Sequence, residues 1–173
     1  DVIDAPGIWH LDNFGNKLIA TIADGASFEW DSDGSTSTRA TLITSAPTAS
    51  RLSLVSTPDR HLVYFGTETT IGTTSTQDDM YIRWSDQEDI NTYTPTATNT
   101  AGTQRIADGT RIVGAIRGRD AIYVWTDNAL FIMRFVGAPF TFSFQQVGTG
   151  CGLIGKNAAV EVDGSAYWMS DNG

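Results

Sequence analysis

GRDAIYVW, residues Gly118–Trp125, holds a tight polar turn and then a strand that ends on two large side chains, Tyr123 and Trp125, two residues apart and so on one face. The same pattern returns without gaps as ADGASFEW (Ala23–Trp30), PDRHLVYF (Pro58–Phe65) and VDGSAYWM (Val162–Met169), with Phe28/Trp30, Val63/Phe65 and Tyr167/Met169 as the corresponding pairs. The final positions fall 35, 60 and 44 residues apart, which brackets the roughly 40–50 residues of a four-stranded propeller blade. A hairpin repeated at such intervals implies repeated sheets. The expected fold class is all-β: a β-propeller, or a fragment of one, built of antiparallel four-stranded meander blades.

The blade around this stretch is the best defined. Ile112–Ile116, Ala121–Trp125, Ala129–Phe135 and Phe140–Val147 alternate with the turns RGRD (Arg117–Asp120), TDN (Thr126–Asn128) and GAP (Gly137–Pro139), whose residues supply positive φ, fixed φ or side-chain to backbone hydrogen bonds. In the last strand Phe140, Phe142 and Phe144 are expected on a buried face, with Thr141, Ser143 and Gln145 on a wet one. Upstream, Lys17–Ile22 and Ala26–Trp30 form a hairpin across Asp24-Gly25, with a further strand near Arg39–Thr44. Leu52–Val55 pairs with His61–Phe65, and the polar insertion Gly66–Asp79 precedes a strand over Met80–Trp84. Ser85–Gly109 has no periodic apolar set and reads as the longest loop, the kind that carries function or moves. The units fall near 1–50, 51–110, 111–150 and 151–173.

A chain of 173 residues suits one domain, since about 70% of its unfolded surface can be buried in a single body. Eleven Lys and Arg against 20 Asp and Glu, net −9, oppose broad attraction to nucleic acid or an anionic membrane. Cys151 is the single cysteine, so neither an internal disulfide nor a cysteine zinc cluster is available. No run approaches the roughly 18 apolar residues of a spanning helix, and no membrane span is expected. The chain begins at Asp1 and stops at Asn172-Gly173 where a third strand is due, so a fragment of a longer protein is expected.

Several stretches carry superficial chemistry. Gly150-Cys-Gly152-Leu-Ile-Gly155 fits the spacing of a dinucleotide fingerprint, but that motif needs a helix next to hold a pyrophosphate, and Lys156–Val162 reads as a strand. Asp31-Ser-Asp33-Gly-Ser35 opens like a calcium loop, yet its twelfth position is Leu42 where a bidentate Glu is required; an Asx-rich turn is the better reading. Asp78, Asp79, Asp86, Glu88 and Asp89 form the densest acidic stretch, read as a solvated loop face, with Asp86, Glu88 and Asp89 as candidates for a loop interaction. Arg105, Arg111, Arg117 and Arg119 are the basic concentration; with Asp108 and Asp120 interleaved, salt bridges between neighbouring blades or subunits are favoured over phosphate binding. Cys151 with His10 and His61 suggests no triad, and His61 is expected to be a half-exposed structural residue at a strand start. The repeat aromatics Phe28, Trp30, Phe65, Tyr123, Trp125, Tyr167 and Trp168 are read as core between packed sheets rather than as a sugar-stacking surface. No catalytic, cofactor or metal position is assigned.

YIRWSDQED (Tyr81–Asp89), GAIRGRDAIYVWTDNAL (Gly114–Leu130), VGAPFTFSF (Val136–Phe144), the glycines Gly148, Gly150 and Gly152, and DGSAYWMSDNG (Asp163–Gly173) together resemble tailed-bacteriophage virion proteins, nearest to the β-propeller hub and nozzle proteins of short-tailed phages. The resemblance covers a little over half the chain, and residues 1–80 share it only in pattern. It implies a non-enzymatic structural protein in the virion tail, assembled as a homo-oligomeric ring against portal, adaptor or other tail proteins and forming the channel for DNA retention and delivery. A −9 protomer repeated round such a ring would let DNA pass without specific binding. The alternative is a ligand-binding propeller that recognises a host-surface glycan or protein through Ser85–Gly109 and Gly66–Asp79; it requires an exposed aromatic pair beside the polar loops.

Overall fold

The computed structural model describes residues 7–57 and 59–170. Pro58, which opens the second repeat, and Asp171–Gly173, with which the family resemblance ends, lie outside the described residues, as does the third strand expected at Asn172. The chain forms four antiparallel sheets in sequence. Sheet I comprises β1 (Trp9–Phe14), β2 (Lys17–Ile22), β3 (Ser27–Asp31) and β4 (Thr41–Leu42). Sheet II comprises β5 (Ser50–Val55), β6 (Leu62–Thr67), β7 (Tyr81–Trp84) and β8 (Gly102–Arg105), and sheet III β9 (Ile112–Arg117), β10 (Ile122–Thr126), β11 (Ala129–Gly137) and β12 (Thr141–Thr149). A hairpin of β13 (Ala159–Val162) and β14 (Ser165–Trp168) makes sheet IV. Spatial order follows chain order within every sheet, so each is a plain meander, the connection that short turns enforce.

The sheets lie face to face, and the pleat divides each central strand between two cores. On β6, Leu62 and Tyr64 face sheet I and join Phe14, Ile19, Val55 and Tyr93, while Val63 and Phe65 face sheet III and join Leu54, Ile82, Val124 and Met133. On β10, Ile122 and Val124 face sheet II, whereas Tyr123 and Trp125 face sheet IV and meet Leu130, Leu153 and Ala166. Burial on both faces is why HLVYF and AIYVW are continuous apolar runs and not alternating ones.

Neighbouring sheets come closest at their first strands: β1 lies beside β5, β5 beside β9, and β9 beside β13. A polar staple joins three of them. Asp12 on β1 accepts the Val55 N–H of β5 at 2.7 Å and pairs with Arg117 of β9 at 2.9 Å, and Arg117 also donates to the Val55 carbonyl at 3.2 Å. At the opposite end of β5, Asp24 N–H donates to the Ser50 carbonyl at 2.7 Å, and Arg51 pairs with both Asp24 (2.8 Å) and Asp79 (2.9 Å).

Four local expectations need correction. The hairpin at Asp24-Gly25 closes one residue earlier, with Gly25 N–H on the Ile22 carbonyl at 3.0 Å and Asp24, not Gly25, at φ 58°. Glycine is needed there for space, since a Cβ would stand 2.3 Å from Ile22 Cγ2. The long loop Ser85–Gly109 contains β8 and buries Ile90 and Tyr93; GTQR shows no apolar alternation because it is an outer strand, and Gly102 lies beneath the Trp84 ring, whose Cζ2 a Cβ would meet at 2.3 Å. Phe140 is 76% exposed and Thr141 is buried, because β12 starts at Thr141 with φ 59° and regular alternation begins only at Phe142. His61 precedes β6 and is buried outright, for reasons given below.

Candidate functional site

Two features stand out: a pair of uncovered apolar faces and a buried polar chain. Register defines the first. Trp9 and Leu11 on β1 stand opposite Ile22 and Ala20 on β2; Leu18 and Ala20 stand opposite Trp30 and Phe28 on β3; and Phe28 stands opposite Leu42 on β4. Paired residues share a face, so all of these point away from sheet II. The face toward sheet II carries instead His10, Asp12, Phe14, Lys17, Ile19, Thr21, Ser27 and Glu29. The outer face of sheet I is therefore the more apolar of the two, although no other described sheet covers it; Trp9 and Leu42 are half exposed and Leu11 is 65% exposed. Sheet IV repeats the arrangement at the other end. Ala166 and Trp168 turn inward, the latter 5.7 Å from Trp125, while Val160, Val162 and Tyr167 turn outward.

The structure thus separates the repeat aromatics. Phe65 and Trp125 are fully buried and Tyr123 stacks 6.0 Å from Trp125. Phe28 and Trp30 are half-buried on the outer face of sheet I, Phe28 against Trp9 at 6.1 Å and Trp30 donating its Nε1–H to the Thr38 carbonyl at 2.9 Å. Trp168 is partly exposed, and Tyr167 is 61% exposed.

The acidic loop residues are engaged one by one. Asp78 pairs with Arg105 at 2.6 Å, Asp79 with Arg51, and Glu88 with Arg60 at 2.8 Å. Asp89 accepts the Asn91 N–H and the Thr92 hydroxyl, each at 2.7 Å. Asp33, from the calcium-like stretch, accepts an Asn16 amide hydrogen at 2.6 Å. Among the described residues no three His, Cys, Asp or Glu converge as a metal site, and none of their helices is long and apolar enough to cross a membrane. Of the basic concentration, Arg117 bridges sheets I, II and III through Asp12 and Val55 and Arg105 stays within sheet II. The glycine-rich stretch after β12 leads to β13 and not to a helix; a Cβ at Gly152 would strike the Asp127 carbonyl oxygen at 2.1 Å.

The second feature runs Ser56–Asp59–His61–Thr100–Asp86. His61, 0% exposed, places Nδ1 2.7 Å from Asp59 Oδ2 and Nε2 3.0 Å from Thr100 Oγ1. The order is that of an acid–base–hydroxyl triad, but the Thr100 oxygen has other partners. It directs its hydrogen to Asp86 Oδ1 at 2.6 Å and accepts from Gln87 N–H at 2.9 Å as well as facing His61. With its hydrogen on Asp86 and the Gln87 N–H on its oxygen, the hydroxyl is held by internal partners besides the ring. Asp86 is itself held below the usual carboxylate range: burial raises its carboxyl, and the Thr100 hydroxyl, the Thr100 and Gln87 N–H groups and the His61 charge together outweigh that.

No protein-family model matches the chain, and no curated protein matches it significantly.

Sequence reasoning missed two buried charges. Glu68 receives the Gly72 N–H at 2.7 Å and the Thr48 hydroxyl, and Arg83 donates to the Thr69 carbonyl at 2.8 Å. Both tie the Gly66–Asp79 insertion to the body. Burial, the leading cause, lowers the Arg83 guanidinium, partly offset by the charges of Tyr81 and Glu68. Glu68 sits among threonines and glycines with no periodicity to signal it.

Proposed function

We propose that the chain is an arc of a β-propeller and serves as a structural, non-enzymatic assembly module of a phage tail, of the hub or nozzle kind. Three four-stranded meanders and a hairpin in sequence, each packed on the last and nearest to it at the first strand, support the propeller. Sheets that approach at one edge and separate toward the other are wedges, and wedges stacked in series turn about an axis on the side of their first strands.

The observation that carries the assembly reading is the apolar outer face of sheet I, matched by the outward side of sheet IV: on each a further sheet can pack, whether of this protein or of a partner. Large contiguous apolar faces on soluble proteins mark sites that meet another protein surface. The virion placement rests on the resemblance alone, and the net charge of −9 suits a channel wall past which DNA slides. The long loops give the glycan-binding alternative no comparable support, because Tyr93 is buried and the loop carboxylates are tied to internal partners.

Light scattering and electron microscopy of the intact gene product, with and without its portal–adaptor complex, test this reading. Rings, formed alone or on the adaptor, are the expected result. A monomer indifferent to the adaptor at micromolar concentration overturns it.

A further inference from the structure

The hydrogen bonds around His61 fix how many protons the ring holds. Asp59, 3% exposed, receives the Ser56 hydroxyl on both oxygens, at 2.9 and 2.8 Å, and as a carboxylate offers the ring only lone pairs. On the other side, the Thr100 hydroxyl hydrogen is directed at Asp86, so Thr100 presents a lone pair to Nε2. Each ring nitrogen thus faces an acceptor, whereas a neutral imidazole has a single N–H. A neutral ring would set lone pair against lone pair on one of its two sides, although the ring is itself 0% exposed and packs against Phe142 (5.1 Å) and Phe135 (5.8 Å).

We propose that His61 is a buried imidazolium clamped between Asp59 and the Thr100–Asp86 pair, and that its charge latches the end of the Ser85–Ala101 segment onto sheets II and III. Thr100 is the catch. Its carbonyl accepts the Trp84 Nε1–H at 2.9 Å and the Thr141 hydroxyl at 3.0 Å, and its N–H donates to Asp86 at 2.8 Å. Sheet II, sheet III and the loop therefore meet at one residue, and the ring completes its set of bonds.

The charged groups around the ring are three carboxylates and one cation. Asp59 comes from the turn before β6 and Asp86 from the loop after β7; Asp120, from the turn before β10, lines the same cavity as Asp59. The neighbouring cation, Arg60, is turned away to Glu88. Phe135 of β11 and Phe142 of β12 contribute no charge. A ring holding a single N–H would keep it toward Asp59, which is nearer to the ring and belongs to the same turn, and would lose the hydrogen bond to Thr100.

Nitrogen-15 NMR of the histidine-labelled full chain tests the protonation directly. Both His61 ring nitrogens should carry protons at neutral pH, and Asp59→Asn should convert the ring to a single N–H. One bare ring nitrogen in the unmodified chain at pH 7 overturns the proposal, and that spectrum decides the matter even if Asp59→Asn fails to fold. The latch has its own readout. Compared at one pH, amide protection at Gln87 and Thr100 should fall roughly tenfold in His61→Leu while the sheet I amides keep theirs, as expected when one charge-assisted hydrogen bond is lost. Protection at Gln87 and Thr100 that is unchanged in His61→Leu overturns the latch.

Discussion

Replacing Leu11 by Asp puts a charge on the outer face of sheet I and separates two readings of that face. In the isolated chain Leu11 is 65% exposed, so the substitution forfeits about a third of a leucine's burial, roughly 0.5–1 kcal/mol. The poor strand propensity of Asp adds up to about 1 kcal/mol. The expected loss is therefore about 0.5–2 kcal/mol, readable as a modest fall in the urea midpoint at constant slope. Ile19→Asp is the control. It lies on the opposite face of the same sheet, 1% exposed against Val55, Leu62 and Tyr64, and burying an unpaired carboxylate there should unfold a domain whose whole stability is about 5–15 kcal/mol. In the assembled protein the ranking changes. If the outer face of sheet I is the docking face, Leu11→Asp buries an unpaired charge there, costing at least about 4 kcal/mol, or roughly a thousandfold in association constant. Sedimentation and electron microscopy of the intact protein read that loss. The reasoning is refuted if Leu11→Asp unfolds the isolated chain as Ile19→Asp does, since the face would then be covered within the chain. It is equally refuted if assembly proceeds unaltered.

Further outcomes follow from single interactions. Asp12→Ala leaves the Val55 N–H without its acceptor and frees Arg117, so a loss of about 1–3 kcal/mol is expected in chemical denaturation; Asp12→Asn should recover part of it. Gly66 sits at φ 61°, and a Cβ there would approach Arg51 Cγ to 2.5 Å, so Gly66→Ala should cost more than about 1 kcal/mol and shift the β5–β6 amide resonances. Folding holds His10 below its ordinary 6.5, through burial first and the Lys156 charge second. The unfolded chain therefore takes up that proton first as pH falls below 6.5, stability drops over that interval, and His10→Gln should flatten the slope. Asp78, Asp86 and Asp127 are held below 3.8: burial raises each, and hydrogen bonds from Arg105, Thr100 and Thr110 respectively outweigh it. Their contribution is complete above 3.8 and disappears as pH falls through the lower folded values, so Asp86→Asn should make the acid transition shallower.

The all-β reading was legible because a buried strand announces itself by length, side-chain type and the turns that bound it. AIYVW and HLVYF are too short for helices and are closed by RGRD and the Asp59-Arg60 turn, and sheets II and III grow from them much as the pattern implies. Outer strands are less readable. Thr41–Leu42 and Gly102–Arg105 are short and carry little apolar alternation because water or a loop lies beside them, so β8 reads as loop. The site was least legible of all. His61, Thr100 and Asp86 are 39 and 14 residues apart along the chain, and what joins them is the return of the Ser85–Ala101 segment over sheet II, which no local pattern encodes. The same holds for Asp12, Val55 and Arg117. Two faces of one strand could be assigned from sequence, but which sheet each face meets could not.

Part of the acid in this chain closes turns before it can serve as a wall. Three four-stranded meanders need a tight reversal at nearly every strand end, and in a chain whose described residues hold no α-helix a carboxylate accepting backbone N–H groups is an economical way to fix one. Asp31 does so for Asp33, Asp78 for Met80 and Asp89 for Asn91. Ion pairs such as Asp78–Arg105 and Asp12–Arg117 cancel locally. Yet pairing removes one charge of each sign, so the surplus of nine negative charges is untouched however many pairs form. For the proposed channel this means that repulsion of DNA comes from the summed field of the protomers and not from any acidic ring of residues. Such a field acts within about 8 Å at physiological ionic strength. It keeps a sliding duplex from adhering while leaving the individual carboxylates free to hold the turns together.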